Sequence, residues 1–75
     1  MDRIIKVKQR YRHFKGNVYE VMAIAMHTET GEDMVIYQDV HHPEKIYARP
    51  YDMFNSLVDT IKYPDVKQKY RFEEE

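Results

Sequence analysis

The sequence predicts one small, mostly antiparallel β domain with a barrel-like core and a single short helix near its C-terminal end. Period-two patterns mark the strands, glycine-containing turns join them, and one apolar stripe at helical spacing follows a proline. At 75 residues the chain has room for one domain, and a domain of that size buries roughly 60% of the surface that its unfolded form exposes. We therefore expect residues 1–75 to form a single domain, with a core over about residues 11–72.

The first two strands are predicted to pair as a hairpin. From Lys6 to Arg12, basic residues at even positions alternate with other residue types, which indicates extended chain. Gly16-Asn17 is typical of a turn, because both residue types tolerate positive φ. The second strand, residues 18–27, is largely apolar on both faces. This pattern predicts a curved sheet with a helix or a partner chain packed on its outside.

Two more strands are predicted to follow, each preceded by a turn. Their bounds are 28–31 for the first turn, 33–38 for the third strand, 39–44 for the second turn and 45–49 for the fourth strand. Gly31 can take the left-handed conformation that closes the first turn. Within the third strand, Val35 and Tyr37 share one face and are expected to point the same way.

A single helix is predicted over Met53–Ile61. Pro50 ends the fourth strand and suits the start of a helix, and Asp52 is favourable near a positive helix N-terminus. Apolar residues then form one stripe with i, i+3, i+4, i+7 spacing: Phe54, Leu57, Val58 and Ile61. The segment 63–65 contains a proline and ends the helix, and a last short extended piece is expected at 70–72.

The amino-acid composition indicates the cellular compartment in which the protein functions. The chain has no cysteine, which excludes disulfides, thiolate metal ligands and cysteine nucleophiles and fits a reducing compartment. Basic residues interrupt the apolar ones near the N-terminus, and no stretch approaches the about 20 apolar residues of a membrane span. We therefore expect a cytoplasmic protein without a membrane partner.

Charge is unevenly distributed, although the net charge is −1. Residues 1–16 hold six basic residues and one acidic residue, a net of +5, so the remainder sums to −6. This asymmetry indicates either an anionic partner or a basic strand beside acidic neighbours such as Glu73–Glu75. Residues 1–8 are interpreted as a basic N-terminal extension or edge strand, and residues 73–75 as an acidic tail.

Several strings of residues carry a resemblance to a known family. The longest are YRHFKGNVYEV at 11–21 and AMHTET at 25–30, and shorter ones are Val35-Ile36-Tyr37, Arg49-Pro50, Met53-Phe54 and Arg71-Phe72. Over roughly residues 11–72 the chain is similar to a bacterial domain-of-unknown-function family, numbered 1653. The resemblance implies a small SH3-like β-barrel of about five strands, and it implies no settled activity or ligand.

The most polar motif-like segment is the loop His27–Glu32 at the predicted sheet rim. Imidazole titrates near neutrality and a carboxylate can fix its tautomer, so His27 and Glu29 have residue types suited to acid–base work. The alternative is a structural turn in which threonine hydroxyls bond to the backbone. Arg49 carries a rigid donor fork that suits an anion or an internal pair with Glu29 or Glu32.

The leading interpretation is a non-catalytic binding module that recognises a small polar ligand or a peptide at this barrel rim. Tyr37 joins the site as an aromatic surface. The candidate ligand-binding residues are His27, Glu29, Thr30, Glu32, Tyr37 and Arg49. We expect no catalytic residue, no cofactor and no metal, because the histidines and carboxylates show no metal-ligand spacing.

Three alternatives stay open. The first is nucleic-acid binding through a basic stripe of Lys6, Lys8, Arg10 and Arg12, whose charges would lie about 6.6 Å apart along one strand face. The second is a small hydrolase-like enzyme that uses His27 and Glu29. The third concerns assembly: an apolar strand and oppositely charged ends predict a monomer or a weak homodimer.

Overall fold

The computed structural model describes residues 3–75. They form five strands and one short helix: β1 (Arg10–His13), β2 (Val18–Met26), β3 (Asp33–Asp39), β4 (Ile46–Pro50), α1 (Tyr51–Phe54) and β5 (Phe72–Glu74). All neighbouring strands are antiparallel, and the sheet order is β4-β3-β2-β1-β5. The predicted fold class, mainly β with about five strands and one short helix, is confirmed. No helix from Arg3 onward is long and apolar enough to cross a membrane.

Both glycine-containing turns are confirmed. Gly16 has φ +108° and closes the β1–β2 hairpin, where its N–H donates to the His13 carbonyl at 2.8 Å. Gly31 has φ +76° and closes the β2–β3 hairpin, where its N–H donates to the His27 carbonyl at 2.8 Å. Glycine fits both positions because it lacks the Cβ that makes positive φ unfavourable.

A β-bulge in β2 changes which of its residues face the core. Val21 pairs with Tyr37, but the next pair is Ala23 with Ile36, so Met22 is the extra residue. The bulge has a tertiary cause: the Lys8 N–H donates to the Val21 carbonyl at 2.7 Å, and the Val21 N–H donates to the Gln9 carbonyl at 3.0 Å.

The predicted cover over the outside of β2 is not found within residues 3–75. Every residue of β2 after Val21 is exposed. Ala25 and Met34 pair on the outer face of the sheet, and α1 does not pack there, because its main contacts are with β3 and β4 and its Phe54 is buried in the core.

The core lies on the inner face of the sheet and is largely aromatic. Its buried side chains are Ile5, Tyr11, Val21, Val35, Tyr37, Phe54, Val58 and Phe72. The predicted shared face of Val35 and Tyr37 is confirmed. Tyr37 contacts Phe54 and Phe72 edge-on, with ring centroids 5.2 and 5.5 Å away. These rings therefore tie α1 and β5 to the middle of the sheet.

The predicted helix Met53–Ile61 is wrong in its extent, because α1 ends at Phe54. Ser56 and Val58 bond to a later segment instead of continuing the helix: the Ser56 carbonyl accepts from the Arg71 N–H at 2.8 Å, and the Val58 N–H donates to the Lys69 carbonyl at 2.9 Å. Leu57 pairs with Tyr70 in an isolated bridge and is 57% exposed. Long-range pairing therefore replaces the helical hydrogen bonds.

The N-terminal segment is not the edge strand that was one of its two predicted forms. Residues 3–9 form no strand, and Lys8 takes a left-handed conformation with φ +68°. Ile5 is buried in the core, and its N–H donates to the Tyr51 hydroxyl at 2.8 Å. The segment therefore packs against the core, and we call residues 3–9 the N-terminal strap.

The sheet is open, so the predicted SH3-like barrel closure is not confirmed. The edge strands β4 and β5 do not pair in the described part of the chain. Side chains bridge them instead, since the Arg49 guanidinium of β4 lies 5.5 Å from the ring centroid of Phe72 in β5. We call this opening between β4 and β5 the seam.

Candidate functional site

Four of the six predicted ligand-binding residues lie together in the β2–β3 turn. His27 Nδ1 accepts the backbone N–H groups of Glu29 and Thr30 at 3.1 and 3.3 Å. The Thr30 hydroxyl donates to Glu32 Oε1 and also accepts the Glu32 N–H, both at 3.3 Å. These contacts close the turn locally, which is the structural alternative set out above, and a ligand-binding role for the turn stays a prediction.

The other two predicted residues, Tyr37 and Arg49, lie on the inner face instead. Arg49 Nε donates to the Tyr37 hydroxyl at 3.2 Å. The predicted pair of Arg49 with Glu29 or Glu32 is wrong: among residues 3–75, no carboxylate lies within ion-pair distance of this guanidinium. Because Arg49 pairs across the sheet with buried Val35, its side chain points towards the core and the seam.

The predicted basic stripe on one strand face is also wrong in its geometry. β1 begins at Arg10, so Lys6 and Lys8 lie outside the strand. Three of the four cations have carboxylate partners: Lys6 with Glu74 at 3.0 Å, Arg10 with Glu20 at 3.8 Å and Arg12 with Glu75 at 3.4 Å. The basic N-terminal charge is thus largely matched by acidic neighbours, two of them from the predicted acidic tail.

A different set of cations converges at the seam, around a cavity of about 310 Å³ that we call the cationic pocket. Its walls come from four separate parts of the chain: the end of β1 and the following turn, β4, the segment after α1, and the residue before β5. The residues are His13, Phe14, Lys15, Arg49, Val58, Asp59, Lys62, Tyr63 and Arg71.

The inner part of the cationic pocket holds two partly buried guanidinium groups, those of Arg49 and Arg71. Arg71 Nε is shielded from solvent and has no hydrogen-bond partner within residues 3–75. A buried N–H that lacks an acceptor is costly, and the cost is larger when the group is charged. Both side chains line the pocket, and guanidinium groups are donors of the kind that bind an anion with several oxygens.

His13 lies beside these guanidinium groups. Its ring stacks on Phe14, with centroids 4.4 Å apart, and its Nδ1 accepts the Lys15 N–H at 3.1 Å. Burial, followed by the positive charges of Arg49, Arg71 and Lys15, lowers the pKa of His13 to about 4. The imidazole is therefore neutral near pH 7. Because Nδ1 is an acceptor, the ring proton resides on Nε2, which is a donor.

The outer part of the pocket carries two exposed ammonium groups around one aromatic ring. Lys15 Nζ and Lys62 Nζ lie 5.7 and 5.5 Å from the centroid of the Tyr63 ring. Asp59 is the one acidic lining residue, and its Oδ1 accepts the backbone N–H groups of Ile61 and Lys62 at 3.0 and 3.1 Å. That carboxylate therefore orders the local turn.

The pocket has a net charge of +3 near neutral pH, because four cations face one carboxylate while His13 is neutral. None of the nine lining residues is a serine, a threonine or a cysteine. No group of three or more histidine and carboxylate side chains within residues 3–75 is arranged to hold a metal ion. The arrangement is suited to holding an anionic group by hydrogen bonds and charge.

Arg49 is the one pocket residue among the candidate ligand-binding residues predicted from sequence. His13, Lys15, Lys62 and Arg71 are not among those candidates, because the chain order separates them widely and no local motif groups them. A signal was nevertheless present: His13-Phe14-Lys15, Arg49 and Arg71 all fall within the strings that carry the family resemblance.

Fold and pocket together define a small mainly β domain with an open five-stranded sheet and a cationic seam. The sequence profile of a family described as "Protein of unknown function (DUF1653)" matches residues 9–74, and the chain belongs to this family. The resemblance to family 1653 is thereby confirmed. No curated protein and no solved structure gives a significant match to the chain.

Proposed function

We propose that this protein is a non-catalytic binding module that holds a small anionic ligand, such as a phosphate group, in the cationic pocket. One contrast supports the proposal. The basic N-terminal residues Lys6, Arg10 and Arg12 each have a carboxylate partner, whereas the four cations of the pocket have none within ion-pair distance among residues 3–75.

The absence of carboxylate partners makes the clustering of these four cations energetically unfavourable. Like charges that converge in a partly buried site repel each other, and burial weakens the screening by water. The chain has more acidic than basic residues, 13 against 12, yet among residues 3–75 no carboxylate forms an ion pair with these four cations. A bound anion would relieve this repulsion.

The chemistry of the donors favours a phosphate or a carboxylate. Arginine presents a planar fork that bonds two oxygens at once, and here two such forks meet in one cavity with the neutral imidazole of His13. Lysine adds point charge at the rim without a fixed geometry. The peptide ligand considered from the sequence would fit the same donors through a carboxylate.

A thermal-shift titration with inorganic phosphate tests the proposal, with sodium chloride added to keep the ionic strength constant. At about 100 times the dissociation constant, phosphate should stabilise the protein by about 2.7 kcal/mol, which corresponds to roughly 10–20 °C for a domain of this size. Arg71→Gln should remove most of this shift, while Lys45→Gln, which changes an exposed lysine outside the pocket, should preserve it.

Two outcomes would count against the proposal. One is a shift no larger than that produced by sodium chloride alone. The other is an equal loss of the shift in Arg71→Gln and Lys45→Gln, since that would mark non-specific screening of surface charge. Because Arg71→Gln also alters a partly buried side chain, its melting temperature without phosphate is measured as the baseline.

A further inference from the structure

The cations of the pocket fall into two tiers. Arg49 and Arg71 form an inner tier, partly buried and carried by β4 and the residue before β5. Lys15 and Lys62 form an outer tier, exposed and held around the ring of Tyr63. The tiers also differ in chemistry, since the inner one offers directional forks and the outer one offers compact point charges.

From these two tiers we infer that the ligand presents two adjacent anionic groups, as a diphosphate does. The inner group would bond to Arg49 and Arg71, and the outer group would lie between Lys15 and Lys62. The inference rests on the proposed function, because it specifies the ligand class of the same pocket.

The inner tier is arranged to receive a single phosphate. Arg49 Nε already donates to the Tyr37 hydroxyl, but its two terminal nitrogens make no hydrogen bond within residues 3–75. Arg71 Nε is shielded and lacks an acceptor. A terminal phosphate offers three oxygens, enough to accept from both guanidinium groups and from the Nε2–H of His13.

A single phosphate does not neutralise the pocket. One phosphate group carries about −1.5 to −2 charges near pH 7, less than the +3 of the pocket. The one lining carboxylate, that of Asp59, accepts the backbone N–H groups of Ile61 and Lys62 at its Oδ1. A second phosphate, linked to the first, would supply the missing charge between the two ammonium groups.

The size of the cavity also favours a small ligand. Its volume of about 310 Å³ is at the lower end of the roughly 300–1,000 Å³ that is usual for ligand pockets. Diphosphate could be free or esterified to a larger molecule, and the experiment separates these two sources.

Calorimetric titrations of the full chain with orthophosphate, pyrophosphate and adenosine diphosphate, without divalent cations and at constant ionic strength, test the inference. Pyrophosphate or adenosine diphosphate should bind at least about tenfold more tightly than orthophosphate, the factor given by roughly 1.4 kcal/mol. Tight binding of pyrophosphate alone would identify the free diphosphate, and tight binding of both would mean that an esterified group is accepted.

Substitutions in each tier test which cations bind which anionic group of the ligand. The double variant Lys15→Gln/Lys62→Gln should abolish the preference for diphosphate, because it should weaken diphosphate binding by a much larger factor than orthophosphate binding. Since both side chains are exposed, this variant should fold. Arg49→Gln should weaken both anions, and Lys45→Gln should weaken neither.

The possible failures are distinguishable. If orthophosphate binds but neither diphosphate binds more tightly, the proposed function stands and the two-tier inference is overturned. The inference is also overturned if the double lysine variant weakens orthophosphate and diphosphate by the same factor. If no anion binds at all, the proposed function fails with it.

Discussion

The rings of Phe54 and Phe72 lie parallel in the centre of the core, with centroids 4.0 Å apart and an interplanar angle of 5°. Phe54 belongs to α1 and Phe72 to β5, and both side chains are fully buried. The sheet itself does not close between β4 and β5, so this stacked pair is a main contact that holds the C-terminal strand region against the helix. The same Phe72 ring lies beneath the Arg49 guanidinium. Core packing and pocket geometry are therefore linked.

Phe72→Ala should strongly destabilise the protein. Truncation of a buried phenylalanine costs about 3–5 kcal/mol, a large part of the about 5–15 kcal/mol available to a small domain. Urea denaturation followed by circular dichroism measures the loss. Met53→Ala is the control, because Met53 is 49% exposed on the same helix as Phe54 and should change stability by no more than about 0.5 kcal/mol. Equal effects of the two variants would contradict the central role of the stacked pair.

Tyr51→Phe should loosen the N-terminal strap. The Tyr51 hydroxyl accepts the N–H of buried Ile5 at 2.8 Å, so its removal leaves a buried donor unsatisfied at a cost of about 1–3 kcal/mol. Hydrogen exchange at the Ile5 amide should accelerate in the variant. Tyr47→Phe is the matched control, since the Tyr47 hydroxyl makes no hydrogen bond within residues 3–75. Unchanged exchange at Ile5 would show that the strap is held by other contacts.

The strands and turns follow from local sequence, but the irregular elements do not. Gly16 and Gly31 predict turns because glycine favours positive φ, and alternation places Val35 and Tyr37 on the core face. The β2 bulge depends instead on Lys8 and Gln9, which bond to Val21 from outside the strand. A bulge can be recognised in a sequence where it interrupts the alternation of apolar and polar residues. β2 is apolar on both faces, so the extra residue Met22 interrupts no such alternation.

The extent of the helix was wrong, and the pocket was not predicted, for a related reason. Phe54, Leu57, Val58 and Ile61 have helical spacing, yet pairing with residues 69–71 competes successfully for the backbone groups after Asn55. The same pairing brings Arg71 towards Arg49 at the seam. A site assembled by such long-range pairing cannot be recognised from residue spacing, whereas the polar turn 27–32 is contiguous and therefore prominent in the sequence.

The ion pairs of the N-terminal segment predict that the wild-type protein does not bind single-stranded nucleic acid through this segment. Lys6 and Arg12 are matched by Glu74 and Glu75. The double variant Glu74→Gln/Glu75→Gln should therefore create weak binding at about 50 mM salt that disappears by about 200 mM, because phosphate contacts are strongly salt-dependent. Fluorescence anisotropy with labelled RNA and DNA measures it.

The control for this experiment is Glu29→Gln/Glu32→Gln, which makes the same change of charge in the exposed β2–β3 turn. It should create no binding. Strong wild-type binding that is lost in Lys6→Gln/Arg12→Gln would instead establish the nucleic-acid alternative and would show that these ion pairs open in solution.

His13 should make stability depend on pH. Its pKa in the folded protein is about 4, against an ordinary value of 6.5, because burial and the nearby cations disfavour the imidazolium. Between these two pH values the unfolded chain binds a proton that the folded chain does not, so stability should fall as pH decreases from 6.5 towards 4. His13→Asn keeps an acceptor for the Lys15 N–H and should show a shallower decline in urea denaturation over this range.

A bound anion should reverse part of this effect, which connects the pH dependence to the pocket. A negative charge beside His13 favours the imidazolium, so saturating phosphate should raise the pKa of His13 from about 4 towards its ordinary value. Two-dimensional NMR of the imidazole resonances across a pH titration, with and without phosphate, measures both values. A pKa of His13 that is the same in the two titrations would mean that phosphate does not enter the pocket beside Arg49 and Arg71. A pKa near 6.5 without phosphate would contradict the burial and charge of the site itself.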